Sequence, residues 1–302
     1  MRWKIWAIEV RAPFLVLPLV LSILGTSLSV FQGFPFHGLN FFAFTVILLL
    51  LHITVNTLNE YYDHLLGIDY HTQRTMFNGG SGLLQEGTVK PMDTFIVAMA
   101  CFAIALMLCV YLLFDVGMLL LPIFLLGMVF ALFYTQLFAR NMMGELSAGL
   151  GLGFLPVLGA FMVQAQTWDA SILVLATMSG LLTFNLLLLN QFPDQKADRE
   201  GGRRNLVLFL GEERSAILYS ALTFGSYGVL ISAVLVGLLP WPVLLGALTL
   251  PLAYRASLAA MQFGVSPVTF VEGQGANVKM ILFTQILASV GLIISIMHGS
   301  IV

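Results

Sequence analysis

Two stretches of this chain carry the residues able to do chemistry. "NEYYDHLLGID", residues 59–69, holds Glu60, Asp63 and Asp69 and follows closely on Asn56. "NQFPDQKADREGGRRNL", residues 190–206, holds Asn190, Asp194 and Asp198. On a helix, Asn56, Asn59, Glu60 and Asp63 recur at three- and four-residue spacing and share a face. Asn190, Asp194 and Asp198 step by four, and Pro193 is expected to kink or end the helix just before Asp194. Gly67 is expected to close the first helix and turn Asp69 back. Carboxylates gathered this way repel one another unless a cation lies between them. Such all-oxygen donors suit Mg2+, which binds one or two carboxylates and completes its shell with water and phosphate oxygens.

Basic residues adjoin both clusters: Arg74 and Lys90 after the first, Lys196, Arg199, Arg203 and Arg204 around the second. Carboxylates for Mg2+ beside Arg and Lys for phosphate oxygens make a diphosphate site. The Gly-rich "NGGSGLLQEG", residues 78–87, is either a donor of backbone N–H groups to a phosphate or a plain turn. It has neither the lysine nor the strand–helix context of a P-loop. The five histidines, at 37, 52, 64, 71 and 298, form no metal-ligand spacing. Cys101 and Cys109 lie about two helical turns apart in an apolar run, too far for a disulfide.

The elements that must position these clusters are membrane helices. The 302 residues are 59% hydrophobic and only 9% charged, with mean hydropathy +0.96. A soluble domain carries about 25% charged residues. A net charge of −2 gives no general attraction to nucleic acid, and no such partner is expected. Spans of about 20 apolar residues are expected near 13–32, 39–61, 92–114, 117–137, 146–165, 169–191, 215–238, 241–261 and 277–298. The first is read as a retained helix, because no small-residue cleavage site follows it. With nine spans, all thirteen Lys and Arg fall on the side of the N-terminus, which the positive-inside rule places in the cytoplasm. Of fifteen acidic residues only Asp115 and Asp169 fall on the far side, each at a hairpin turn. The expected fold is all-α: a polytopic membrane protein of nine transmembrane helices around a central cavity, N-terminus cytoplasmic, one domain over 1–302. A secondary transporter places its binding groups near the midplane between internal repeats. Here the acids gather at one face and the span interiors hold almost no ionisable residue, which argues against transport.

With these motifs in place, the chain resembles the UbiA superfamily of intramembrane prenyltransferases over almost its whole length. The likeness is greatest to the branch that acts on 1,4-dihydroxy-2-naphthoate in menaquinone synthesis. It rests on Asn59, Glu60, Asp63, Gly67 and Asp69, and on Asn190, Asp194, Asp198, Arg199, Gly202, Arg203, Leu206, Leu210 and Gly211. "FYTQLF", with Tyr134, and "GELSAGLGLGFLPVLG", with Glu145, Gly153 and Pro156, add to it. Glu60 stands where the family usually has Asp, Arg203 where Lys is usual, and Asn205 where Thr is usual. The resemblance implies Mg2+-dependent transfer of a polyprenyl group from a polyprenyl diphosphate to an aromatic acceptor, within the lipid bilayer. Acceptors of the sister branches, namely 4-hydroxybenzoate, homogentisate, a porphyrin or a lipid precursor, stay open. It further implies that Glu60, Asp63 and Asp69 hold one Mg2+ and that Asp194 and Asp198 hold a second. Asn59, Arg74, Asn190, Lys196 and Arg203 would serve the diphosphate. Tyr134 would join Asp63, Asp194 and Asp198 in catalysis by shielding an allylic cation. The expected location is an integral membrane protein, in the plasma membrane if prokaryotic, with the active site facing the cytoplasm.

Overall fold

The computed structural model describes residues 2–70, 74–75 and 77–299, leaving aside the side chains of Arg2 and Asp69. Those residues form helices and turns only. A short N-terminal helix α1 (Arg2–Glu9) precedes the first span, a 3-10 turn (Ala12–Leu15) running into α2 (Val16–Phe31). Spans two and three are α3 (Gly38–Leu66) and α4 (Pro91–Asp115). Span four is a 3-10 turn (Met118–Leu120), α5 (Leu121–Phe133) and a π turn (Tyr134–Phe138). Span five is α6 (Gly144–Gly149), a second π turn (Leu150–Phe154) and α7 (Leu155–Ala165); span six is α8 (Ala170–Asn190). Two short helices, α9 (Gln195–Glu200) and α10 (Leu206–Leu210), lead to span seven, α11 (Glu212–Leu235). A 3-10 stretch (Trp241–Thr249) with α12 (Leu250–Met261) makes span eight, and α13 (Pro267–Met297) makes span nine.

Among the described residues, nine spans are long and apolar enough to cross a bilayer, as the hydropathy implies. The ninth begins ten residues before its expected start. Its first turns carry Glu272, Gln274, Asn277 and Lys279, too polar for a hydropathy window. They are helical because Ser266 caps the start, accepting from Thr269 N, and Pro267 sits at the first helical position.

The first span is the hub. Two-thirds of its apolar window is buried against other helices, against 22% for the third span. Leu17, Leu21, Leu24 and Leu28 form a buried stripe at three- and four-residue spacing. That stripe meets Val157 and Phe161 of α7 and Met280 and Leu292 of α13 in one core. In lipid, contact between helices depends on close approach and on polar pairing. Both occur. A Cβ on Gly25 would collide with the Val157 carbonyl oxygen, so only glycine lets α2 and α7 approach this closely. Asn185 of α8 donates to Tyr219 O and Thr223 Oγ1 of α11, each at 2.8 Å. Tyr219 donates to Asn277 of α13 at 2.9 Å, and Gln274 of α13 donates to Asn190 at 3.0 Å. This buried ladder fixes the end of α8, where the second acidic motif begins.

At the opposite end, Asp115 accepts from Asn40 at 2.8 Å and Asp169 from Gln32 at 2.6 Å, while Asp169 also caps α8 through Ile172 N. The two outlying carboxylates therefore tie hairpin turns to neighbouring spans.

Gly25→Ala is expected to destabilise the protein by about 1–3 kcal/mol through overpacking against backbone. Gly225→Ala, in α11 with open space around it, should be neutral or stabilising by up to about 1 kcal/mol. Thermal unfolding of both variants in detergent checks the opposite signs.

Candidate active site

The two acidic motifs meet at the mouth of one cavity of about 240 Å³. One water needs only about 10–15 Å³ by the same measure, so the space is sized for an organic ligand. Its mouth carries Asn59, Asp63, Asn190, Asp194, Asp198 and Arg203; its depth is mostly apolar, with Phe44, Ile47, Phe124, Leu155 and Leu186 among the walls.

Helix geometry explains the first motif. At about 100° per residue, His52, Asn59 and Asp63 lie within about 40° of one another, with Asn56 close beside them. All four line the cavity. Glu60 sits about 60° further round than Asp63 and does not line it. Its Oε1 accepts from Arg11 Nε at 3.0 Å, and both its oxygens accept from Ser81 N at 2.9 Å. Gly67 ends α3 in the left-handed conformation (φ 74°), as a glycine C-cap does. The side chain of Asp69, expected to complete this cluster, lies outside the described residues.

The second motif is split. α8 ends at Asn190, a turn holds Pro193, and Asp198 sits on the separate α9. All three polar residues still reach the cavity. Asn205 caps α10 by accepting from Leu208 N at 2.8 Å and donates to Asp198 Oδ2 at 2.7 Å. Glu145 of α6 accepts from Leu206 N at 2.7 Å and steadies the same segment.

One guanidinium joins the two motifs. Arg203 Nη2 donates to both oxygens of Asp63, and Nη1 donates to Asp198 Oδ1 at 3.3 Å. Burial pushes the Asp194 carboxyl up to about 7, and the Asp198 charge adds to this; the Asn78 hydrogen bond and Arg203 oppose it. Asp198 is likewise raised by burial and pulled back by Arg203 and Asn205. These are carboxylates held where their charge is costly.

The Gly-rich loop is a strap over both motifs. Asn78 Nδ2 donates to Asp194 Oδ1 at 2.8 Å, and three residues on Ser81 binds Glu60. Gly79, Gly80 and Gly82 take φ of 89°, 71° and 80°, which the tight path requires. Leu83, Leu84 and Val89 pack on Ile5 and Trp6 of α1. Arg74 braces the loop from outside, through Nε to Gly79 O and Nη2 to Gln85 Oε1, each at 3.1 Å, and does not line the cavity. Lys196 is exposed on α9, also off the cavity wall. Tyr134 opens the π turn of span four and does line it. Asn59 donates to the neighbouring Thr135 at 3.3 Å, which fixes that turn against α3.

Sequence reading passed over three polar residues of this wall. Arg11 adopts a left-handed backbone (φ 54°) that aims it at Glu60 and the cavity. Asn78 and Arg11 sit on loops whose course no periodicity reveals. His52 had a signal: it precedes Asn56 by four and Asn59 by seven, and it is an ionisable group inside a span.

Among the described residues, no three carboxylate, imidazole or thiol groups form a ready metal cage. The donors still fit Mg2+ in kind, since Asp63, Asp194 and Asp198 line one mouth with the amides of Asn59 and Asn190. A guanidinium already holds the two motifs together there.

The sequence profile of the UbiA prenyltransferase family matches residues 17–296. The chain belongs to the UbiA prenyltransferase family. Two curated relatives are named 1,4-dihydroxy-2-naphthoate octaprenyltransferase. That of Bacillus subtilis is 28% identical over 90% of this prenyltransferase and 87% of its own length. That of Escherichia coli is 28% identical over 97% and 96%. Among solved structures, a UbiA homologue from Aeropyrum pernix superposes with a TM-score of 0.69 at 17% identity, over 94% of this chain and 98% of that one. A homologue from Archaeoglobus fulgidus, bound to GPP and Mg2+, superposes at 0.62 and 13% identity, over 94% and 99%. At these identities the structural likeness establishes the fold.

Glu60 is the shared acceptor of Arg11 and the loop. Glu60→Ala is expected to cost about 1–3 kcal/mol of local stability and to speed cleavage by a glutamate-specific protease at exposed Glu86 about tenfold or more. Peptide mapping over time measures the rate.

Proposed function

We propose that this prenyltransferase moves a polyprenyl group from a polyprenyl diphosphate to 1,4-dihydroxy-2-naphthoate, with Mg2+, as a single domain spanning the chain. The observation that carries the acceptor is the near full-length likeness to two enzymes of that name. Mg2+ and a prenyl diphosphate are supported by the Archaeoglobus neighbour and by the oxygen donors gathered here.

Asp63, Asp194 and Asp198 are the proposed Mg2+ holders, with Asn59 and Asn190 orienting them. Mg2+, when bound, supplies positive charge to the departing diphosphate. Arg203 then exchanges Asp63 and Asp198 for diphosphate oxygens, a geometry its planar fork suits. Asn78 and the backbone of Gly79 and Gly80 close the mouth above. Glu60 is reassigned from metal ligand to anchor: it holds Arg11 and Ser81 in place. Arg74 and Lys196 are reassigned to loop bracing and to the exposed surface. Asp69 stays a proposed ligand from the sequence motif alone. The apolar walls exclude water from the allylic centre, and the face of Tyr134 offers it cation–π attraction of about 0.5–2 kcal/mol. The basic side of the chain is proposed to face the cytoplasm, in the plasma membrane of a prokaryote.

Membranes containing the protein are expected to transfer a radiolabelled polyprenyl group to the naphthoate, and EDTA should abolish the transfer. Asp63→Ala and Asp194→Ala should each lower turnover by about 10²-fold or more. Activity that survives EDTA, or survives both substitutions, contradicts the scheme. A mass-spectrometric acceptor panel that favours 4-hydroxybenzoate or homogentisate contradicts the acceptor alone.

A further inference from the structure

Among the described residues, one imidazole lines the cavity, well inside the second span. His52 is 5% exposed, lines the wall, and its Nδ1 is buried with no hydrogen-bond partner. The other polar groups at this depth are engaged: Ser147 with Gly144 O and Thr183 with Ser179 O, both at 2.8 Å, and Asn56 with Val10 O at 3.1 Å. A buried imidazole nitrogen without a partner is costly where no solvent compensates it. Its position is also informative. His52 and Asp63 share a face of α3 and lie eleven residues apart, about 16 Å along the axis. That distance accommodates a phosphate ester and one aromatic ring laid end to end.

We propose that His52 is a catalytic residue that takes the hydroxyl proton of the aromatic acceptor. The proposal rests on reading the acceptor as a hydroxyaromatic. The acceptor O–H bond breaks and its proton passes to a free ring nitrogen of His52. The electron pair left on oxygen enters the ring, and a ring carbon forms the bond to the allylic carbon. The allylic C–O bond breaks and its pair leaves with the diphosphate. The attacked carbon then sheds the substituent it carried, as a proton or as carbon dioxide, and the ring regains aromaticity. The imidazole is suited to this because its buried Nδ1 has no partner in the protein to compete for the acceptor's proton, and apolar walls keep competing water away.

The test compares wild type with His52→Gln, which retains a hydrogen-bond acceptor but is not a base. Turnover is read with the naphthoate and with a ring-fluorinated naphthoate whose hydroxyl is more acidic. The variant is expected to lose about 10²-fold or more in kcat/KM for the acceptor. KM for the diphosphate should hold within about twofold, and the deficit should shrink on the fluorinated acceptor. A loss below about threefold, an equal rise in both KM values, or the same deficit on both acceptors overturns the assignment. Should His52→Gln unfold early in a detergent melt, His52→Asn is read in the same way. If wild type prefers another hydroxyaromatic, the naphthoate reading falls and the variant ratio is taken on that acceptor. If wild type uses only an acceptor without an aromatic hydroxyl, both fall.

Discussion

The structure turns on one electrostatic constraint: three carboxylates from two distant parts of the chain share one largely buried mouth, where their charges repel unless a positive charge or a proton lies among them. Arg203 is that charge in the protein itself, bonded to Asp63 of α3 and to Asp198 of α9. Burial raises the carboxyls of both Asp194 and Asp198 from their ordinary values, which shows that charge is costly there. Much of the fold serves to hold it. The polar ladder Asn185–Tyr219–Asn277 and the Gln274–Asn190 bond set the end of α8. Asn205 holds Asp198, and the π turn with Thr135 holds Asn59.

The strap over the mouth is built from both motifs at once. Asn78 reaches the second and Ser81 the first, while the apolar side of the loop packs on α1. Glu9 is buried beneath it, accepting from Thr94 and bonded to Ser81, and its carboxyl is raised by burial and by the nearness of Glu60. The Ser81 hydroxyl has one hydrogen for two carboxylates, Glu9 and Glu60, so it donates to one of them at a time. The N-terminal segment, the loop and the end of α3 therefore form one unit, with Arg11 as its edge on the cavity.

The nine spans were legible because length and hydropathy alone decide them. The start of α13 was hidden, since its helix is fixed by a cap, a proline and interhelical hydrogen bonds rather than by apolar residues. The convergence of Asp63, Asp194 and Asp198 on one cavity could be anticipated from their spacing and from the shared membrane side. The direction of Glu60 could not: a step of 60° round α3 moves it from the cavity to Arg11, and its three- or four-residue spacing to Asn56 and Asp63 does not resolve that step. Arg74 and Lys196 have long arms on segments of irregular course, so proximity in sequence did not place them at the mouth. His52 shows the opposite case, a residue whose spacing was visible but whose significance depends on a cavity wall that only the packing of the helices creates.

Asp63 and Asp194, from motifs on separate spans, are proposed to serve one divalent-ion site. Manganese binding followed by electron paramagnetic resonance, with inorganic pyrophosphate present and Mg2+ as competitor, tests it without turnover. Wild type is expected to bind Mg2+-displaceable manganese, and Asp63→Ala and Asp194→Ala are both expected to lose it. Equal manganese binding in wild type and both variants would contradict it.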